Sequence, residues 1–112
     1  MKLSEKQQVF TQDVARLILW VAEQGWGVTL GECYRTVDQQ RRYVDQGKSQ
    51  TMRSKHLERL AVDLNLFVAG KYQQSVEAYR PLGDYWKSLD PARNKWGGDW
   101  ETLRDAVHFE QA

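Results

Sequence analysis

Cysteine is almost missing from this chain. Cys33 stands alone among 112 residues, which excludes an intramolecular disulfide framework and fits folding in a reducing compartment. Proline occurs only twice, and no stretch is rich in Gly, Ser or Pro, so no linker, low-complexity segment or internal repeat is visible. Long apolar runs are missing as well. The most apolar stretch, Val14 to Ala22, is broken by Arg16 and falls well short of the roughly 20 residues that span a bilayer, so no membrane insertion is expected. The N-terminus, Met1-Lys2-Leu3-Ser4-Glu5-Lys6-Gln7-Gln8, turns polar at once and has no apolar run behind it, so no secretory signal is recognised. The expectation is synthesis in the cytoplasm, with a separate factor needed for action outside. An excess of one charge is also lacking: 16 basic residues against 15 acidic ones leave a net charge of +1. With no basic stripe, a nucleic-acid partner is not expected.

What is present suits a single domain over residues 1–112 with one hydrophobic core. Hydrophobic residues make up 41% and charged residues 28%, ordinary values for a globular protein. Five Trp and five Tyr supply large buried area and can also line a groove. Ser4 with Gln7 reads as a capping box that opens a helix to about Gln24, with Phe10, Val14, Leu17 and Val21 on its buried face. Val28 to Arg35 reads as a strand, with Val28, Leu30 and Tyr34 on one side and Arg35 on the other. Thr36 with Gln39 predicts a second capped helix that stops at Gly47. Residues 48–55 read as a loop. Leu60, Val62, Leu64 and Leu66 alternate with Ala61, Asp63, Asn65 and Phe67 in a strand that points Asp63 away from the leucines. Gly70 marks a turn. A helical region runs from about Gln74 to Leu89, with Pro81 expected to interrupt it or to start a new helix there. Val107 to Glu110 closes the chain as a strand.

Histidine is scarce, and that makes each one informative. His56 lies in Ser54-Lys55-His56-Leu57-Glu58-Arg59-Leu60-Ala61-Val62-Asp63, and His108 in Asp105-Ala106-Val107-His108-Phe109-Glu110, just after Trp96-Gly97-Gly98-Asp99-Trp100. Two imidazoles and a carboxylate suffice to hold a catalytic zinc with one open position, and each segment also carries a spare acid that could act as general base. His56 and Asp63 are seven apart. On one continuous strand they would face opposite ways, so they can share a metal only if His56 precedes the strand in a turn. Asp105 and His108, three apart, meet on a helical turn. Blander readings stand beside these: hydrogen-bonded core histidines, a turn-capping Asp105, turn chemistry at Gly97-Gly98, core roles for Trp96 and Trp100, and a solvated edge charge at Arg35.

Taken together, the segments resemble those of the zinc D-Ala-D-Ala carboxypeptidase family, closest to its phage-type L-alanyl-D-glutamate endopeptidase branch. The family pattern S-x-H-x-x-G-x-A-x-D is met by Ser54, His56, Ala61 and Asp63. W-G-G-D-W followed by D-x-x-H-F-E is met by Trp96 to Trp100 and by Asp105, His108, Phe109 and Glu110. Tyr34-Arg35-Thr36 is similar to the family's arginine-bearing strand end, and the likeness runs from about Glu32 to the C-terminus. The resemblance implies an α+β fold, hedgehog/D,D-peptidase-like, with N-terminal helices packed on a small, mostly antiparallel sheet that bears the metal. It implies one Zn2+ per chain held by His56, Asp63 and His108, with Asp105 as general base and Arg35 as the cation facing the oxyanion. Ser54, Trp96, Asp99 and Trp100 become candidate substrate-binding or supporting residues. The implied substrate is the peptide stem of bacterial peptidoglycan, and the implied role an endolysin let out by a holin-like protein. A D-Ala-D-Ala carboxypeptidase or dipeptidase, and a non-catalytic zinc-binding module on the same fold, are the alternatives. One position departs from the pattern. Arg59 stands where the family has glycine, and it is strained if that position requires a positive φ.

Overall fold

A computed structural model describes residues 1–112. Its elements are α1 (Leu3–Glu23), β1 (Gly27–Leu30), α2 (Val37–Asp45), β2 (Ala61–Val68), β3 (Lys71–Tyr72), α3 (Val76–Leu89), β4 (Asn94–Trp96) and β5 (His108–Gln111), with short 3-10 turns at Lys55–Glu58 and Gly97–Asp99. Every strand pairing is antiparallel. The sheet order is β1-β2-β5-β4, with β3 turning back on β2 through Ala69 and Gly70, both at positive φ. The architecture is therefore α+β.

One face of the sheet makes the core. Leu60, Val62, Leu64 and Leu66 are buried, as their alternation requires, against Phe10, Leu17 and Val21 of α1 and Tyr79, Leu82 and Trp86 of α3. A polar knot fixes α1 against the C-terminal strands. Gln111 Nε2 donates to Asp13 Oδ2 (2.9 Å) and Asn94 Oδ1 (2.7 Å), and Asn94 Nδ2 donates to the Trp86 carbonyl (2.8 Å). The mutual bonding is what makes burial of these side chains tolerable.

Three local expectations need correction. Helix α1 starts one residue before Ser4, on Lys2, with no side-chain cap. The strand predicted over Val28 to Arg35 ends at Leu30, and Leu30 and Tyr34 are exposed. Backbone pairing nonetheless continues from Gly31 N to Asp63 O (2.7 Å) and from Asp63 N to Glu32 O (2.8 Å). Pro81 neither interrupts α3 nor starts a helix; it lies inside one continuous helix. It sits on the exposed side, where the Glu77 carbonyl left without a donor can be hydrated, while Tyr79, Leu82 and Trp86 hold the other side on the core. Strands β3 and β4 were not legible, being two and three residues long.

Helix α3 meets the sheet through Gly83. A Cβ there would lie 2.3 Å from the indole of Trp96, so only a bare α-carbon allows this approach. Gly83→Ala is expected to destabilise the protein by about 1–3 kcal/mol by overpacking, read as a lowered midpoint in thermal or denaturant unfolding. An unchanged midpoint would show that the Trp96 ring moves aside freely.

Candidate metal centre

His56 is placed by a turn, the condition for sharing a metal with Asp63. Ser54 caps the Lys55–Glu58 turn, its Oγ accepting the His56 N–H at 3.3 Å. Three contacts hold the turn against the Cys33–Arg35 segment: Arg35 N–H donates to the His56 carbonyl (3.2 Å), the His56 ring Nδ1 meets the Cys33 carbonyl (2.8 Å), and Arg35 Nη1 reaches Ser54 Oγ (3.4 Å). A carbonyl can only accept, so Nδ1 carries the proton and Nε2 presents its lone pair inward.

Asp63 and His108 face one another across the β2–β5 pairing, each being the other's register partner. His108 Nε2 is 2.7 Å from Glu110 Oε1, which turns Nδ1 inward. The ring also lies against Trp100, centroids 4.9 Å apart. The chain enters β5 through a turn in which His108 N–H donates to the Asp105 carbonyl (3.1 Å), and Asp105 N–H donates to the Gly97 carbonyl (3.0 Å). A Cβ on Gly97 would come within 2.2 Å of the Asp105 carbonyl oxygen. The Gly97-Gly98 pair is therefore a packing requirement, with neither residue at positive φ.

The result is a convergent donor set. His56 Nε2 lies 3.2 Å from His108 Nδ1 and 3.3 Å from Asp63 Oδ1, and His108 Nδ1 lies 3.5 Å from the same oxygen. Two ligands about 2.0–2.2 Å from one ion at tetrahedral angles are about 3.3–3.6 Å apart, so separations of 3.2–3.5 Å suit zinc. Asp63 Oδ1 is buried, yet it accepts no well-formed hydrogen bond even with two imidazole nitrogens close by. Three ligand atoms converge on a common point, and although the two imidazoles meet at 3.2 Å, the carboxylate oxygen between them has no hydrogen-bond partner; this is a donor set that suits a cation. Burial would raise the Asp63 carboxyl, but contacts with His108 and His56 outweigh this and bring it down to about 2. Burial works against the charge on His108, yet Asp63 and Glu110 lift it to about 9. An incoming cation therefore competes with a proton there.

The other expected site residues divide. Asp105 lines the groove beside the triad, and its carboxyl is raised, first by burial and then by the nearby Asp63 charge. Arg35 is a fixed cation and no solvated edge charge. Its side chain is 12% exposed, paired through Nε with Glu32 and through Nη1 with Gln40 (2.7 Å), and stacked on the Tyr43 ring at 4.6 Å. Ser54 and Trp100 line the same groove, of about 930 Å³. Trp96 does not; it is buried in the core, its Nε1 donating to the Ala106 carbonyl. Asp99 pairs with Lys87 (2.7 Å), away from the groove lining.

Sequence reasoning passed over Gln40, Glu32, Tyr43 and the supporting part of Glu110. Gln40 is fully buried, its amide donating to Ser49 Oγ and the Thr51 carbonyl while its oxygen receives Arg35. Nothing distinguishes it locally from Gln39. Glu110 did carry a signal, since two residues beyond His108 on a strand is the same face.

Arg59 adopts φ 56°, ψ 36° after the His56 turn, so the position does demand a left-handed residue. Its guanidinium lies 4.2 Å over the Tyr34 ring, and it is not among the groove-lining residues. The strain, of order 1–2 kcal/mol, is opposed by a stacking contact of about 0.5–1 kcal/mol. Arg59→Gly is expected to leave stability unchanged or raise it by up to about 1 kcal/mol, with only modest change in activity. A fall of several degrees in the unfolding midpoint would mean that the stack outweighs the strain.

Comparison with known proteins agrees with this geometry. The signature of the family described as D-alanyl-D-alanine carboxypeptidase matches residues 47–111, more than half of the chain. An L-alanyl-D-glutamate peptidase from Listeria phage A118 is 38% identical over 106 residues, covering 89% of this chain. This chain spans only 36% of that relative's length. Among solved structures, the L-Ala D-Glu endopeptidase ChiX of Serratia marcescens superposes with a TM-score of 0.66 at 31% identity, over 77% of this chain and 67% of that one. The vancomycin resistance D,D-pentapeptidase VanY of the VanB-type cassette, solved in complex with Zn(II), superposes with a TM-score of 0.62 over 91% and 70% of the two chains. Its 18% identity makes that a likeness of fold.

Proposed function

Because the chain belongs to the D-alanyl-D-alanine carboxypeptidase family, we propose that it is a zinc peptidase that hydrolyses the peptide stem of bacterial peptidoglycan, cutting between L-alanine and D-glutamate. The observation that carries this reading is the triad: three buried or half-buried donors 3.2–3.5 Å apart, one of them an oxygen without a hydrogen bond, in a groove that also holds a half-buried acid and a fixed guanidinium. His56 Nε2, Asp63 Oδ1 and His108 Nδ1 would hold one zinc ion per chain. When bound, zinc supplies Lewis-acid polarisation of the scissile carbonyl and acidifies water to a pKa of roughly 7.

The chain's own residues do the rest. Asp105 takes the proton of the attacking water and returns it to the leaving amine. Burial and the Asp63 charge raise its carboxyl, and a raised carboxylate is a stronger base and a readier acid near neutral pH. Arg35 keeps its positive charge facing the groove, where it stabilises negative charge growing on the carbonyl oxygen. Glu32 and Gln40 hold it in place, so little reorganisation accompanies reaction. A site whose only task was to bind metal would need neither Asp105 nor Arg35, and this favours catalysis over a zinc-binding module.

The names of the phage and Serratia relatives support the L-Ala–D-Glu bond, and the biological role that follows is an endolysin acting on the cell wall after release through a holin-like protein. No helix is long and apolar enough to cross a membrane. Digestion of purified peptidoglycan by the zinc-loaded protein, with new termini identified by mass spectrometry, tests the reading. New N-terminal D-glutamate is the expected product. Release of D-alanine alone would replace it with the D-Ala-D-Ala carboxypeptidase reading. No new terminus with zinc bound would leave the zinc-binding module, and recovery of hydrolysis by Arg59→Gly would then assign the loss to Arg59.

A further inference from the structure

The groove is lined by five cations, although the chain as a whole carries a net charge of only +1. Two of them are occupied: Arg35 by Glu32 and Gln40, and Lys55 by Glu58 at 3.1 Å. The other three, Lys48, Arg53 and Arg104, have no carboxylate partner. Lys48 lies only near the Tyr43 ring, Arg53 makes no side-chain bond, and Arg104 spends one N–H on the Trp100 carbonyl (3.0 Å) and leaves the far end of its guanidinium free. The groove's acids cannot neutralise them. Glu32 is taken by Arg35, Glu110 by His108 and Asp63 by the triad, while Asp105 is half-buried at the foot of the groove. Among the groove's acids only Glu101 is left to oppose the three free cations, with Glu77, outside the groove and paired with Arg80, within Coulombic reach of Arg104.

The free cations come from two loops on separate parts of the chain. Lys48 and Arg53 lie between α2 and the His56 turn, and Arg104 lies in the loop that leads to Asp105. Thr102 Oγ1 donates to Gln50 Oε1 at 3.0 Å, joining the two loops. Leu103, also on the groove, is at φ 48°, a conformation that persists only where the surroundings impose it. The positive charges are thus presented to one shared space beside the metal centre.

We propose that Lys48, Arg53 and Arg104 select substrates by a free carboxylate on the residue that supplies the leaving amine, and so discriminate D-glutamate from its amide, D-isoglutamine. This deepens the peptidase reading above and rests on it. A glutamyl residue joined onward through one of its carboxyl groups keeps the other as an anion next to the scissile bond. Amidation removes that charge and nothing else of consequence in shape. Exposed ion pairs are individually weak, each a factor of roughly two to three in affinity, so three acting on one carboxylate give a preference of about tenfold that salt weakens.

The test uses two synthetic peptides, L-alanyl-γ-D-glutamyl-L-lysine with the α-carboxylate free and the same peptide with an α-carboxamide. kcat/KM for each is measured on zinc-loaded protein at low salt and at 0.5 M NaCl. The acid is expected to be preferred about tenfold at low salt, with the ratio narrowing at high salt and falling towards one in the Lys48→Gln/Arg53→Gln/Arg104→Gln variant. Lys55→Gln removes a groove charge that is already paired and should keep the ratio. Circular dichroism and zinc content establish that each variant is folded and loaded. Equal rates on both peptides overturn the selection while leaving the peptidase intact. A preference that survives the triple substitution overturns the assignment to these cations. Equal losses on both peptides mean non-specific attraction to anions, which also overturns it. Hydrolysis of neither peptide, by protein that cleaves no peptidoglycan, overturns the peptidase reading and this inference with it.

Discussion

His108→Ala should reduce bound zinc from one equivalent per chain to background and abolish hydrolysis of peptidoglycan. Three donors define the proposed site, and each lies within 3.5 Å of the other two, so removal of His108 leaves a bidentate remnant, His56 on its turn and Asp63 on β2. Beyond activity, the effect appears in stability. A ligand that binds only the folded state stabilises by RT ln(1 + [L]/Kd), about 4 kcal/mol at a thousandfold excess over Kd. Zinc should therefore raise the unfolding midpoint of the wild-type protein and leave that of His108→Ala unmoved. Elemental analysis after chelation and reconstitution, together with thermal unfolding with and without zinc, makes the comparison. A full equivalent of tightly held zinc in the variant would show that His108 is no ligand.

Asp105→Asn should retain zinc and the fold yet lose turnover by ~10²–10⁴-fold, the usual contribution of a positioned general base. The base must be ionised to act, so the wild-type rate should rise with pH through the Asp105 titration. Burial, followed by the charge on Asp63, raises that titration above the ordinary value, so the acidic limb of the pH–rate profile should lie above a normal aspartate and disappear in the variant. Stability runs the other way. A carboxyl whose folded pKa is raised binds its proton more tightly when folded, so it lowers stability as pH rises through that pKa, and removing the charge relieves the cost. Metal-free Asp105→Asn should consequently unfold at the same temperature as wild type at neutral pH, or higher. Near-normal hydrolysis by the zinc-loaded variant would remove Asp105 from the mechanism.

The donor set was legible through the motifs that resemble the zinc D-Ala-D-Ala carboxypeptidase family, and local geometry allowed it without singling it out. Alternation places Asp63 opposite Leu60, Val62, Leu64 and Leu66 whatever surrounds the strand, and the polar Arg53-Ser54-Lys55 stretch is fit only for a turn, where His56 had to be if it was to meet Asp63. Asp105 and His108 at a spacing of three needed only a turn, and one hydrogen bond closes it. The helices followed from apolar periodicity and, for α2, from the Thr36 cap.

Other features depended on contacts between residues far apart in sequence. The α3–sheet approach at Gly83 is set by a ring thirteen residues away, so Trp96 became core and left the groove. Asp99 was drawn outward by Lys87 on α3. Arg35 carries a fixed charge only because Glu32, Gln40 and Tyr43 converge on it from a strand end and a helix, and Gln40 owes its burial to Ser49 and Thr51. Sequence alone determined the helical regions and the long central strand with its core face, because backbone geometry repeats every two or 3.6 residues and needs no partner, and its motifs pointed to the three donors through the family resemblance. The tertiary structure alone decided which nitrogen of each imidazole faces inward, which aromatics are core, and which groove cations remain unpaired, because each of these depends on a partner that only the folded chain brings within hydrogen-bonding distance.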